Sequence, residues 1–120
     1  MQRINLDEKF GLFTEQWRPK VIAAANGQRS RSSRCRASSR GITTPRKIEF
    51  FMVWKGRFRV EFRDHAVELG PGECVVVPRG IEHRTCADQE AEILLIEPAG
   101  VLNTGNVTDA EFTAPTGVAI

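Results

Sequence analysis

Residues 72–83 read GECVVVPRGIEH. Four apolar or near-apolar residues form a strand-like run and stop at Pro78, which cannot donate to a central ladder. Pro78 fixes its own φ, and Gly80, two residues on, lets the backbone turn sharply. The turn aims the next segment so that His83 points inward from the end of a strand. Glycine at 72, proline at 78, glycine at 80 and histidine at 83 thus form a spaced unit of strand, sharp turn and inward imidazole.

Outward from this unit the chain keeps a period of two. In RFRVEFR, residues 57–63, Phe58, Val60 and Phe62 face one way and Arg57, Arg59, Glu61 and Arg63 the other. IEFFMVWKG reads as an apolar strand closing at Lys55-Gly56. KVIAAANGQ reads as a strand entering an Asn-Gly hairpin turn. AVELGPGE gives a short strand and a turn, and CVVVPRG a buried strand. EHRTCA and AEILLIEP give two more. Residues 4–18 suggest a short helical turn or arm anchored by Leu12, Phe13 and Trp17. Short strands, Gly/Pro turns and almost no helical period predict an all-β sandwich or barrel. The divisions expected are an arm at 1–19, a barrel at 20–107 and a tail at 108–120.

The chain of 120 residues is the size of one domain. No apolar run approaches the ~18 residues that would suggest a membrane span. The first ten residues lack a basic stretch followed by an apolar one, so no signal peptide is expected. Three cysteines without CxxC spacing argue against a disulfide framework and for a reducing cytoplasm.

The spacing of Gly72, Pro78, Gly80 and His83 resembles the second motif of the cupin superfamily, in particular its small single-domain members. The end of the family's first motif, a glutamate followed seven residues later by a glycine, is matched by Glu49 and Gly56. The resemblance spans about residues 20–107. It implies a double-stranded β-helix, or jelly-roll barrel, holding one divalent metal (Mn, Fe, Zn or Ni) for small-molecule chemistry or sensing. It also implies a homodimer, for which Trp17, Val118 and Ile120 are candidate contacts.

The pattern breaks at one place. The family's ligand set is three histidines and a glutamate, and two of those histidines belong at positions 42 and 44. Ile42 and Thr44 stand there, and the chain has only two histidines, His65 and His83. His65 reads as a solvated turn residue, so Glu49 and His83 are the remnant of the metal site. Weak or absent metal binding is expected.

The break lies within QRSRSSRCRASSRGITTPRKI, residues 28–48. Seven of the seventeen basic residues fall between 29 and 47 with no acid among them, and the remainder of the chain is acidic. A one-base shift of reading frame accounts for the segment. It lets the codons of GITTPRK be rewritten as WHHHPEE, placing histidines at positions 42, 43 and 44, and it turns RSRSSRCR into a valine-rich strand. The literal segment is expected to be irregular or, if it forms a strand, arginine-lined and poorly packed. The rival reading is a basic tract that binds nucleic acid through phosphate charge. The absence of aromatics for base stacking and the position inside a β fold argue against it.

Beyond a metalloenzyme, two other classes fit. One is a non-catalytic small-molecule binding module with Phe51, Val53, Phe58 and Val60 supporting a pocket. The other is a purely structural dimer. Glu73 and Glu82 read as exposed turn residues.

Overall fold

The computed structural model describes residues 1–38, 48–99 and 118–120. Among them are one short helix and seven strands in a single antiparallel sheet system: α1 (Leu6–Phe10), β1 (Lys20–Ala25), β2 (Gln28–Ser38), β3 (Glu49–Lys55), β4 (Phe58–Glu61), β5 (Ala66–Leu69), β6 (Cys74–Val77) and β7 (Arg84–Pro98). The main order is β1-β2-β7-β3-β6, and β4 joins β7 to β5. This all-β arrangement is that of a jelly-roll barrel.

Alternation in the sequence becomes the core. Phe51, Val53, Phe58, Val60, Leu69, Val77, Ala91 and Ile93 are all buried in one cluster. Phe51 and Phe58 meet with ring centroids 5.8 Å apart. The hairpin between β1 and β2 turns at Asn26-Gly27, where φ is +53° and +74°. Positive φ at both central residues fits the right-handed twist of the flanking strands.

Of the two forms expected for the arginine-serine tract, irregular or an arginine-bearing strand, residues 28–38 take the second. Residues 28–38 form an eleven-residue strand paired with β1 on one side and β7 on the other. Its side chains are not those of a normal core. Arg31, Ser32, Ser33 and Cys35 are buried, and Ser32 Oγ has no hydrogen-bond partner among the described residues. Arg31 turns inward to Glu97, with Nη1 3.0 Å from Oε1. Arg34 turns outward, pairs with Glu90 and Glu92, and lies over the rings of Phe10 and Phe13. Of the expected anchors of the N-terminal arm, Phe13 is buried and Trp17 packs against the core, whereas Leu12 is exposed and the unforeseen Phe10 is buried instead.

Two further expectations change. The segments expected as separate strands at 82–87 and 91–98 are one continuous β7. Pairing with β2 slips between Cys35–Ala91 and Ala37–Ala87, so Asp88, Gln89 and Glu90 form a bulge rather than a turn. No glycine or proline is there to turn the chain. Likewise β6 is not buried on both faces. Cys74 and Val76 are exposed, since nothing among the described residues covers the outer face of β6.

Gly56 abuts the bulge. Its φ is +86°, and a Cβ there would lie 3.0 Å from the Glu90 carbonyl oxygen and 3.1 Å from Ala91 Cα. Both obstacles are backbone. Gly56→Ala is expected to lower unfolding free energy by about 1–3 kcal/mol, read from the urea midpoint.

Thiol environments differ as sharply. Cys74 is exposed, and Cys35 and Cys86 are buried. Burial pushes the Cys35 thiol up to about 12, and the Cys86 thiol donates to Glu61. One equivalent of a thiol reagent is expected to react in the native state, at Cys74. The other two should react only after denaturation, as followed by peptide mass.

Candidate functional site

Glu49 opens β3 and His83 immediately precedes β7, so the two come from opposite ends of the sequence motifs that single them out. Glu49 pairs in register with Val77, the last residue before Pro78. The turn at Pro78-Gly80, where Gly80 has φ +78°, then carries the chain round so that His83 faces back toward Glu49. Both are buried, and His83 Nε2 lies 2.8 Å from Glu49 Oε2. The sequence reading that joined these two residues therefore corresponds to one contact.

The other ring nitrogen fixes the chemistry of that contact. His83 Nδ1 lies 2.9 Å from the Ile81 carbonyl oxygen, which can only accept, so Nδ1 carries the proton. Nε2 is then protonated only in the imidazolium. Burial pulls the imidazole down, but the Glu49 carboxylate and the Ile81 carbonyl outweigh it and hold the ring above its ordinary value of 6.5. The sign of the linkage follows: a group raised on folding stabilises fully below its unfolded value and ceases to as pH rises through its folded value. Stability measured by urea is expected to decline above neutrality in the wild type, with that part of the decline absent in His83→Leu. Nε2 and Oε2 are close enough for an ion pair but lack the alignment of a hydrogen bond.

Aromatic rings wall the pair. Phe51 meets His83 edge-on with centroids 6.1 Å apart. Phe62 lies 6.4 Å from it and stacks on His65 at 4.8 Å. His65 is an exposed turn residue bonded to Asp64, as expected. Beside His83 a cleft of about 250 Å³ opens, lined by Glu61, Phe62, Arg63, Glu82, His83 and Arg84. Glu82 is paired with Arg63, and Glu61 with Arg84. Arg84, Cys86 and Arg59 together hold the Glu61 carboxyl down at about 2.

The remaining motif residues shape the backbone. Gly72 and Gly80 both adopt positive φ, and Glu73 Oε1 accepts from Gly70 N within the turn before β6. Positions 42 and 44 lie outside the described residues.

Among the described residues, the donors present do not make up the set for the metal that the family pattern implies. A structural or catalytic ion is usually held by three or four protein ligands. Here there are two facing donors, and among the described residues no third histidine, cysteine, aspartate or glutamate joins them. In sequence, Ile42 and Thr44 supply no imidazole.

The interior holds a second polar pair that sequence reasoning missed, Arg31 with Glu97. The signal was present for Glu97: counting by twos from the buried Ile93 passes through Leu95 to reach it. For Arg31 there was none, since nothing in an arginine-serine tract marks which guanidinium turns inward.

Comparison with known proteins agrees with the geometry. The Cupin_2 family model, described as a cupin domain, matches residues 38–97. A cupin-2 domain containing protein from Shewanella frigidimarina is 35% identical, covering 79% of this chain and 93% of that one, with a TM-score of 0.78. A Neisseria meningitidis protein is 22% identical over 82% of this chain and all of its own, with a TM-score of 0.74. A hydroquinone 1,2-dioxygenase, solved with Cd2+ and 4-hydroxybenzonitrile, is 19% identical over 77% of this chain and 70% of its own, with a TM-score of 0.65. No curated protein matches at a significant level. The second-motif spacing, the jelly-roll arrangement and these matches converge: the chain belongs to the cupin superfamily.

Proposed function

We propose that the chain is a small-molecule-binding cupin whose site lies at the Glu49–His83 end of the barrel. By this reading the site is descended from a divalent-metal centre and is reduced here to two donors. The observation that carries the reading is the buried 2.8 Å contact between Glu49 and His83, set beside an open cleft that His83 helps to line. Phe62 gives the cleft an apolar wall, and the ion pairs Arg63–Glu82 and Arg84–Glu61 give it polar ones. The ligand class we read for it is an organic acid that lays a flat apolar body on Phe62 and displaces one glutamate from its arginine, with neutral sugars as the contrast. The test is thermal stabilisation against a panel of both classes, with and without EDTA. An organic acid that raises Tm in the wild type but not in His83→Ala, indifferent to EDTA, is the expected result. A panel with no such member rejects the reading.

A second reading, a homodimer, is favoured by one feature. Val76 of β6, Ile96 of β7 and Ile48, just before β3, are all exposed, beside the Phe50–Val76 and Phe50–Ile96 register pairs. Such an apolar sheet face beside an edge strand invites a second copy. Light scattering is expected to give twice the 13.4 kDa of the chain, and Val76→Lys to return the monomer. At the end of the chain, Val21 bonds to the backbones of Val118 and Ile120 within the same molecule.

A further inference from the structure

A second cleft lies where β7 passes from one partner strand to another. On one side β7 pairs with β4 as far as the Arg59–Cys86 register pair, and with β3 from Lys55–Glu92 onward. Residues 87–91 between them have no ladder partner on that side among the described residues. In the bulge, Asp88, Gln89 and Glu90 have no register partner on β2 either. A cavity of about 380 Å³ opens at this gap, bordered by Gly56 and Arg57 of the turn between β3 and β4. Sites for small molecules run from about 300 to 1,000 Å³. Phe58 and Ala87, each 2% exposed, give the cavity an apolar floor. The Arg59–Glu61 ion pair joins its wall to that of the cleft beside His83.

The charges on this second rim are set differently. In the His83 cleft the ion pairs are closed, Arg63 to Glu82 at 2.8 Å and Arg84 to Glu61 at 2.6 Å. Here Arg57 stands 3.9 Å from Glu68, and Arg59 stands 3.9 Å from Asp88. Both separations exceed the ~3.2 Å reach of a hydrogen bond. Arg57, Glu68 and Asp88 make no closer contact with an opposite charge among the described residues. The other charges are engaged elsewhere, Glu90 with Gln16 and Arg34 and Arg59 with Glu61. The open groups are thus one guanidinium and two carboxylates around an apolar floor. A simple anion is repelled by the carboxylates and a simple cation by the guanidinium, whereas a ligand carrying both charges satisfies both. We propose that this cleft binds a compact zwitterion, an α-amino acid with an apolar side chain. Its carboxylate takes Arg57, which Glu68 backs from behind, its ammonium takes Asp88, and its side chain lies over Phe58 and Ala87. Hydrogen bonds between charged groups are the strong ones, and none of these residues belongs to the His83 cleft.

The test is calorimetric titration of the full chain at low salt with L-alanine, L-valine and L-leucine, and with propionate and propylamine as single-charge contrasts. At least one amino acid is expected to bind saturably, and each single-charge compound to bind weaker by about tenfold or more. Arg57→Gln and Asp88→Asn should each weaken the amino acid by about tenfold. Their side chains are 73% and 89% exposed, so both variants are expected to fold. Backbone amide NMR shifts on titration should centre on residues 87–91. No saturable binding by any of the three amino acids overturns the proposal. So does propionate or propylamine binding as tightly as the amino acid, or binding that survives both substitutions. Shifts centred on residues 61–63 and 82–84 also overturn it, because they assign the ligand to the His83 cleft. The reading of that cleft fails separately, in its own panel of organic acids and sugars.

Discussion

Arg31→Met is expected to lower the unfolding free energy by about 3–5 kcal/mol, the usual consequence of leaving one member of a buried ion pair without its counterpart. The whole stability of a domain is about 5–15 kcal/mol, so this substitution alone approaches the limit of what the chain can lose. Arg31 and Glu97 are each 3% exposed, and water cannot take over the role of the missing charge. Adding Glu97→Gln removes the charge that Arg31 faced and should return part of the loss. The two substitutions are therefore expected to be strongly non-additive in urea denaturation, with the double variant more stable than Arg31→Met. Additive losses would show that Arg31 contributes through its hydrocarbon stem rather than its charge.

Phe58→Ala is expected to cost a similar amount, about 3–5 kcal/mol, by a different route. Phe58 is 2% exposed. Its ring tilts against Phe51, which in turn meets His83 edge-on. Truncation leaves a void between β4 and β3, and the antiparallel pairing of β4 with both β5 and β7 restrains collapse into it. Urea midpoints measure the loss. Because Phe51 rests on both Phe58 and His83, the variant should also weaken any ligand response at the cleft. Phe58→Leu, which keeps much of the volume, should recover most of both properties.

Much of the architecture could be read in the chain before any coordinates. The alternation of Phe58, Val60 and Phe62, the Asn26-Gly27 turn and the Gly72-Pro78-Gly80-His83 spacing each correspond to local physics that acts wherever the segment is placed. What escaped the reading depended on neighbours. Arginine and serine have little intrinsic preference for a strand, yet β2 forms because the Asn26-Gly27 hairpin sets its register on one side and β7 offers a partner on the other. The exposure of Val76 depends on what covers the outer face of β6, which no window of sequence reports. The Glu49–His83 contact was legible because each residue sits at a fixed offset from a turn. The Arg31–Glu97 pair was not, because it joins strands more than sixty residues apart with no turn chemistry to mark either end.

β7 runs for fifteen residues and touches β2, β3 and β4. It is also the last of the seven strands to be made. During synthesis three earlier segments therefore wait, with open edges, until residue 98 has cleared the ribosome. A nascent chain stalled before that point is expected to be sticky and readily cut by proteases, and one stalled after it to be compact. Folding of the released chain should be slow for its size, in the range of milliseconds to seconds typical of topologies closed by distant partners.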